Sequence, residues 1–258
     1  PELLLLILLL FSRVIGGHEA TPSSRPYMAY VQIGSAGGCG GFLIREDVVV
    51  TAAHCNCNLC NIFVYLGVQD FMDPGQNWQR IQARRWVQHP DFNNENFEND
   101  IMLVKLSHSV ELTEWVGTVP LPEADHPVWP GSKCSMAGWG RTGPNSTTDR
   151  LQEVDQKVVP DKLCKERYRH YNPSTMLCAG SPHEKKAAFT DDSGGPLVCD
   201  GLVQGIVSNG DRAGRRSPLK GQLKGRVCME PLKGFRAEYL FLLLEKYYKG
   251  SVLALSCV

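Results

Sequence analysis

An excess of charge of either sign is absent from this chain: its 258 residues carry 27 Lys and Arg against 27 Asp and Glu. That balance excludes a polyanion-seeking protein, so nucleic acid is not an expected partner. Long apolar runs are also absent. The unbroken stretch at 3–11 is too short to span a bilayer and has the size of a signal h-region. No initiating Met or basic segment precedes it, and no small-x-small cleavage site follows. Residues 1–13 therefore read as a signal or propeptide remnant of a secreted or granule-stored protein. A buried first strand is the other reading. No repeat of solenoid period occurs. Ten cysteines are too few for a small disulfide scaffold and more than a cytosolic chain usually holds, which favours an oxidising compartment. With 21% charged and 9% aromatic residues, the composition does not read as disordered.

What is present has an all-β texture from residue 14 to about 210. Short β-rich runs at 30–33, 42–43, 48–50, 62–66, 102–106, 151–154, 196–199 and 202–207 are separated by Gly, Pro, Asn and Asp clusters. Many short strands with turn signals between them predict a sandwich or barrels rather than βαβ units. The Pro-rich stretch 119–130 reads as a linker, giving expected units at 14–120 and 121–210. Residues 211–258 differ, with ten Lys and Arg against four Asp and Glu and a loop-like opening.

Three short segments carry chemistry. Thr51-Ala52-Ala53-His54-Cys55 places a His directly after a β-rich run. Asn99-Asp100-Ile101-Met102-Leu103 places an Asp at the opening of an apolar strand. Asp191-Asp192-Ser193-Gly194-Gly195-Pro196 places a Ser in a glycine-rich turn. Serine is a weak nucleophile until a neighbouring base takes its proton, and His suits that task at neutral pH. A buried carboxylate then fixes the His tautomer and stabilises the imidazolium. The order His, Asp, Ser fits acyl-transfer catalysis.

With these segments, and with Val14-Ile15-Gly16-Gly17, Ala137-Gly138-Trp139-Gly140 and Leu151-Gln152-Glu153-Val154, the chain resembles the trypsin/chymotrypsin serine endopeptidases, in the granzyme, mast-cell chymase and cathepsin G branch. The resemblance covers about residues 14–210. It implies two six-stranded antiparallel β-barrels, with Ser193 as nucleophile, His54 as general base and Asp100 as its orienter. The backbone N–H groups of Asp191 and Ser193 would form the oxyanion hole, and Ser208 would support Asp100. Cleavage between Arg13 and Val14 by an activating protease would free an ammonium that pairs with Asp192. Implied disulfides are Cys39–Cys55, Cys134–Cys199 and Cys164–Cys178. Phe189 stands where many relatives have another bridging Cys. Ala187, at the floor of a specificity pocket also bordered by Ser208 and Gly210, disfavours basic residues and suits apolar or aromatic ones. No cofactor is implied. Protein or peptide substrates are the expected partners, with serpin-type inhibitors or granule proteoglycan as further ones.

The remaining features are read locally. Asn145-Ser146-Thr147 is a glycosylation sequon in a turn-rich loop. Asp70 and Asp73 read as solvated acids, not a calcium loop. Cys57 and Cys60 have metal-ligand spacing without a second pair, so no zinc site is expected; their pairing stays open, as does that of Cys228 and Cys257. Two departures from the resemblance bear on activity. Asp191 replaces the glycine of Gly-Asp-Ser-Gly-Gly-Pro, putting a carboxylate beside a developing oxyanion. Residues 211–258 lack the family's closing strand and helix, so the second barrel is expected to have an unpaired edge. The alternative function is therefore a catalytically impaired homologue acting as a secreted binding protein.

Overall fold

The computed structural model describes residues 17–35, 37–57, 60–123, 126–140, 148–168, 171–180, 193–210 and 226–231. In the first half the strands are β1 His18–Glu19, β2 Met28–Ile33, β3 Gly37–Arg45, β4 Val48–Thr51, β5 Ile62–Leu66, β6 Gln79–Gln88 and β7 Met102–Leu106. In the second half they are β8 Lys133–Gly138, β9 Gln152–Val159, β10 Leu177–Gly180, β11 Pro196–Cys199, β12 Leu202–Gly210 and β13 Arg226–Pro231, with one helix, α1 Asp161–Arg167, between β9 and β10.

Strands β2 to β7 close an antiparallel barrel in the order β2-β3-β4-β7-β6-β5. Alternation drives this locally: in β5, Ile62, Val64 and Leu66 are buried while Phe63 and Tyr65 face outward. Strand β4 is buried on every residue, as its unbroken Val-Val-Val-Thr requires. Phe42, Leu43, Leu66, Met102 and Leu103 fill the barrel, and the same cluster continues into Val198, Val203 and Ile206 of the second half.

The second half corrects an expectation. Residues beyond 210 do supply a strand: β13 pairs antiparallel with β10 (Cys178↔Cys228) and with β12 (Ile206↔Glu230). Pairing then runs β8-β9-β10-β13-β12-β11 and returns to β8, so this ring closes too, with β1 added on β9. The strand is short, set among basic loop-like sequence, and framed by two neighbours already in place, so tertiary context outweighs its weak local signal. The linker straps the halves together: Val119 N–H donates to Leu43 O at 3.0 Å, and Val203 N–H to Pro120 O at 3.2 Å. Among the described residues no helix is long and apolar enough to cross a membrane.

Candidate active site

Strand β4 ends at Thr51 and the chain turns through a single 3₁₀ turn, Ala53–Cys55, which carries His54 at the junction of the barrels. Strand β6 fixes that turn from the side. Gln88 Nε2 donates to Ala53 O at 2.9 Å, and Trp86 Nε1 donates to Asn56 Oδ1 at 2.7 Å. The Cys39–Cys55 disulfide ties the residue after His54 to β3.

Asp100 opens β7 from beneath and is fully buried. Its Oδ1 accepts the backbone N–H of His54 at 2.8 Å, and its Oδ2 lies 2.7 Å from His54 Nδ1. Ser208, on β12 of the other barrel, donates its hydroxyl to Oδ2 at 2.5 Å. An ionised carboxylate only accepts, so the short contact requires the proton on Nδ1 and leaves the Nε2 lone pair facing outward. The His54 side chain is 24% exposed, which allows Nε2 to meet a substrate. A carboxylate without these partners would be costly to bury.

Ser193 is placed by its backbone. Its carbonyl accepts Gly40 N–H of β3 at 2.8 Å, and the bridged sulfur of Cys55 lies 3.9 Å from the same oxygen. Gly194 N–H donates to Val207 O at 2.7 Å, and Val207 N–H returns a bond to Gly195 O at 2.9 Å. Gly194 has φ +90°, and a Cβ there would collide with Thr51 Oγ1 and Gly40 O. Only glycine meets both demands. The turn bearing Ser193 is thereby pressed against residues next to the His54 turn.

One neighbour of this site had no sequence signal. Phe97 lies edge-on to His54, ring centroids 5.6 Å apart and planes at 83°. Phe97 (φ 60°) and Asn99 (φ 55°) both adopt left-handed backbone, which costs the bulky aromatic about 1–2 kcal/mol and the asparagine less. A positive φ at a bulky aromatic is invisible to pattern reading.

Among the described residues four bridges are present: Cys39–Cys55, Cys134–Cys199, Cys164–Cys178 and Cys57–Cys60. The last pairs two of the four cysteines whose partners the sequence left open. Ligand-type atoms of Cys39, His54 and Cys55 fall within 4.8 Å of one another, but the two sulfurs are bonded to each other and offer no thiolate. Asp70 is engaged by Arg150 Nε at 2.9 Å, and Asp73 accepts Gly75 N–H. Arg13, Val14, Asn145, Ala187, Phe189, Asp191, Asp192 and Cys257 lie outside the described residues, as do the side chains of Gly210's strand neighbour Asn209 and of Cys228.

The family model "Trypsin" matches residues 14–222. The chain belongs to the trypsin family. Bovine duodenase-1 is 48% identical over 222 residues, spanning 82% of this chain and 88% of that protein. Human cathepsin G is 46% identical over 222 residues, spanning 83% and 86%. A solved structure titled "Structure of GrC" superposes with a TM-score of 0.79 at 35% identity, covering 90% of this chain and all of the other. This trypsin-family member is thus a serine endopeptidase by descent, in the chymase, cathepsin G and granzyme branch.

Proposed function

We propose that the chain cleaves peptide bonds by acyl transfer to Ser193. The observation that carries this reading is the buried Asp100 carboxylate, which holds the His54 imidazole by Nδ1 and is braced by Ser208 from the second barrel. In the proposed reaction His54 Nε2 takes the Ser193 hydroxyl proton as Oγ adds to the scissile carbonyl. The oxyanion that forms is met by the N–H groups of Ser193 and residue 191. Collapse sends the proton from His54 to the leaving amine, and water repeats the sequence to release the acid. Cleavage after Arg13 would precede this, with the Val14 ammonium pairing with Asp192. Ala187 supports apolar or aromatic specificity, the residue 3–11 run supports secretion or granule storage, and Asn145 supports glycosylation.

Asp191 favours a second reading, a weakened protease homologue that acts by binding. Its charge is nearly harmless to a neutral carbonyl and unfavourable to the oxyanion, so it opposes turnover more than substrate binding. A fluorophosphonate probe separates the two. After cleavage at Arg13–Val14 the chain should label at Ser193, the Ser193→Ala variant should not, and Asp191→Gly should raise turnover about 100-fold. No labelling of either the native chain or Asp191→Gly would sink the catalytic reading.

A further inference from the structure

The loop between β6 and β7 closes on itself: His89 N–H donates to Ile101 O at 2.8 Å, Phe97 N–H to Asn93 O at 2.8 Å and Asn93 N–H to Glu98 O at 3.0 Å. Asn99 Nδ2 donates to Asp91 O at 3.0 Å, and Glu98 N–H to Asn96 Oδ1 at 3.2 Å. All of these bonds stay within the loop and would travel with it as a body. A different bond crosses to the second half of the molecule: Asn172 Nδ2 donates to Glu98 Oε1 at 2.7 Å. Asn172 is itself held, because its Oδ1 accepts both the N–H of Ser174 at 3.1 Å and its hydroxyl at 2.7 Å. That pair of contacts orients the amide and turns Nδ2 toward the carboxylate, a charge-assisted arrangement.

Glu98 sits between the two left-handed residues of the loop, Phe97 and Asn99. Strained backbone persists only where its surroundings over-determine it. What the strain holds in place is the catalytic pair itself: Phe97 stacks edge-on to His54, and Asn99 directly precedes Asp100. We propose that Glu98 is a positioning residue for the reaction proposed above, on which this inference rests. Its carboxylate, gripped by Asn172 of the opposite barrel, keeps Phe97 against the imidazole and Asp100 beneath it. Without that strut the loop relaxes toward ordinary backbone, the ring withdraws, and His54 loses its fixed orientation.

The test uses the full, activated chain and a single-residue thiobenzyl ester, which is too short to contact the loop as an extended peptide would. Glu98→Ala and Asn172→Asp each remove the bond, Glu98→Gln keeps its acceptor, and the pair Glu98→Gln with Asn172→Asp restores it with donor and acceptor exchanged. We expect kcat to fall about 10-fold or more in the two breaking variants, with KM changed less than about two-fold, since displacements near 1 Å can cost 100-fold. Glu98→Gln and the exchanged pair should return to within about three-fold of the native rate. In a Ser193→Ala background, the His54 imidazole resonance should move in Glu98→Ala and return in the exchanged pair. Native kcat in Glu98→Ala, a loss that the exchanged pair does not rescue, or an unmoved His54 resonance would each overturn the proposal. If the native chain turns over no faster than Ser193→Ala, the proposed function falls, and the resonance still decides the strut.

Discussion

Ser208 and Asp100 belong to different barrels and meet at 2.5 Å, so the carboxylate that orients His54 is itself held by a hydroxyl from across the domain interface. The His54 turn, the start of β7 and β12 converge on one pair of oxygens. Asp100→Asn should leave the barrels folded and lower kcat about 10⁴-fold at neutral pH, because the amide can donate to Nδ1 and stabilise the wrong tautomer. Ser208→Ala should lower it by about 10-fold, the scale of one hydrogen bond to a charged group. Circular dichroism and kcat measured together decide the matter; equal losses in the two variants would contradict it.

Gly194→Ala tests the seating of Ser193, the proposed nucleophile. The added methyl group meets Thr51 Oγ1 and Gly40 O while the backbone stays at φ +90°. We expect destabilisation above about 3 kcal/mol, or loss of fluorophosphonate labelling at Ser193 where the fold survives. Native labelling and an unchanged melting temperature would show that the turn can move aside.

Gln156 is 2% exposed on the inner face of β9, and among the described residues neither its amide oxygen nor its nitrogen has a hydrogen-bond partner. It sits in a strand whose buried neighbours Val154 and Val158 are apolar. Gln156→Leu should therefore stabilise the protein by about 1–2 kcal/mol, read as a rise in Tm of a few degrees. A fall in Tm would mean that the amide serves a partner such as an internal water.

Asp47 gives a pH signature. Burial pushes its carboxyl upward, but hydrogen bonds from Lys105 and Arg45 outweigh this and hold it below the usual carboxylate range. A lowered carboxylate stabilises the fold above its unfolded value near 4, and that contribution is lost as pH falls through the folded value. The native chain should exceed Asp47→Asn by about 0.5–1 kcal/mol at pH 7, the range of a partly exposed ion pair, and the difference should begin to shrink near pH 4 and keep shrinking as pH falls toward the lower folded value. Urea midpoints across pH 3–7 measure it; an advantage that grows in acid would reverse the assignment.

The strands most legible in sequence were those buried on one or both faces, such as β4 and β5, where apolar spacing is dense. Strand β6 escaped because Gln and Arg occupy its outward positions and interrupt the pattern around Ile81 and Ala83. Strand β13 escaped because its pairing with β10 and β12 is a tertiary fact with almost no local signature. At the site, His54, Asp100 and Ser193 stand in short, chemically distinctive segments. The Phe97 contact and the Glu98–Asn172 bond depend on left-handed backbone and on residues from different halves of the chain, which neither spacing nor composition encodes.

The placement of β1 and β13 also sets an order of assembly. By residue 106 every strand of the first barrel has been made, whereas the second ring waits for residues 226–231. During synthesis the His54 and Asp100 half can close early, while β10 and β12 each lack a permanent neighbour on one side until β13 has been made. His18 and Glu19, among the earliest described residues made, pair with Gln152 and Glu153 and so must await the later half. The first and last described strands are thus gathered onto the barrel that forms last, and a nascent chain stopped before residue 226 would hold one finished barrel beside an open sheet.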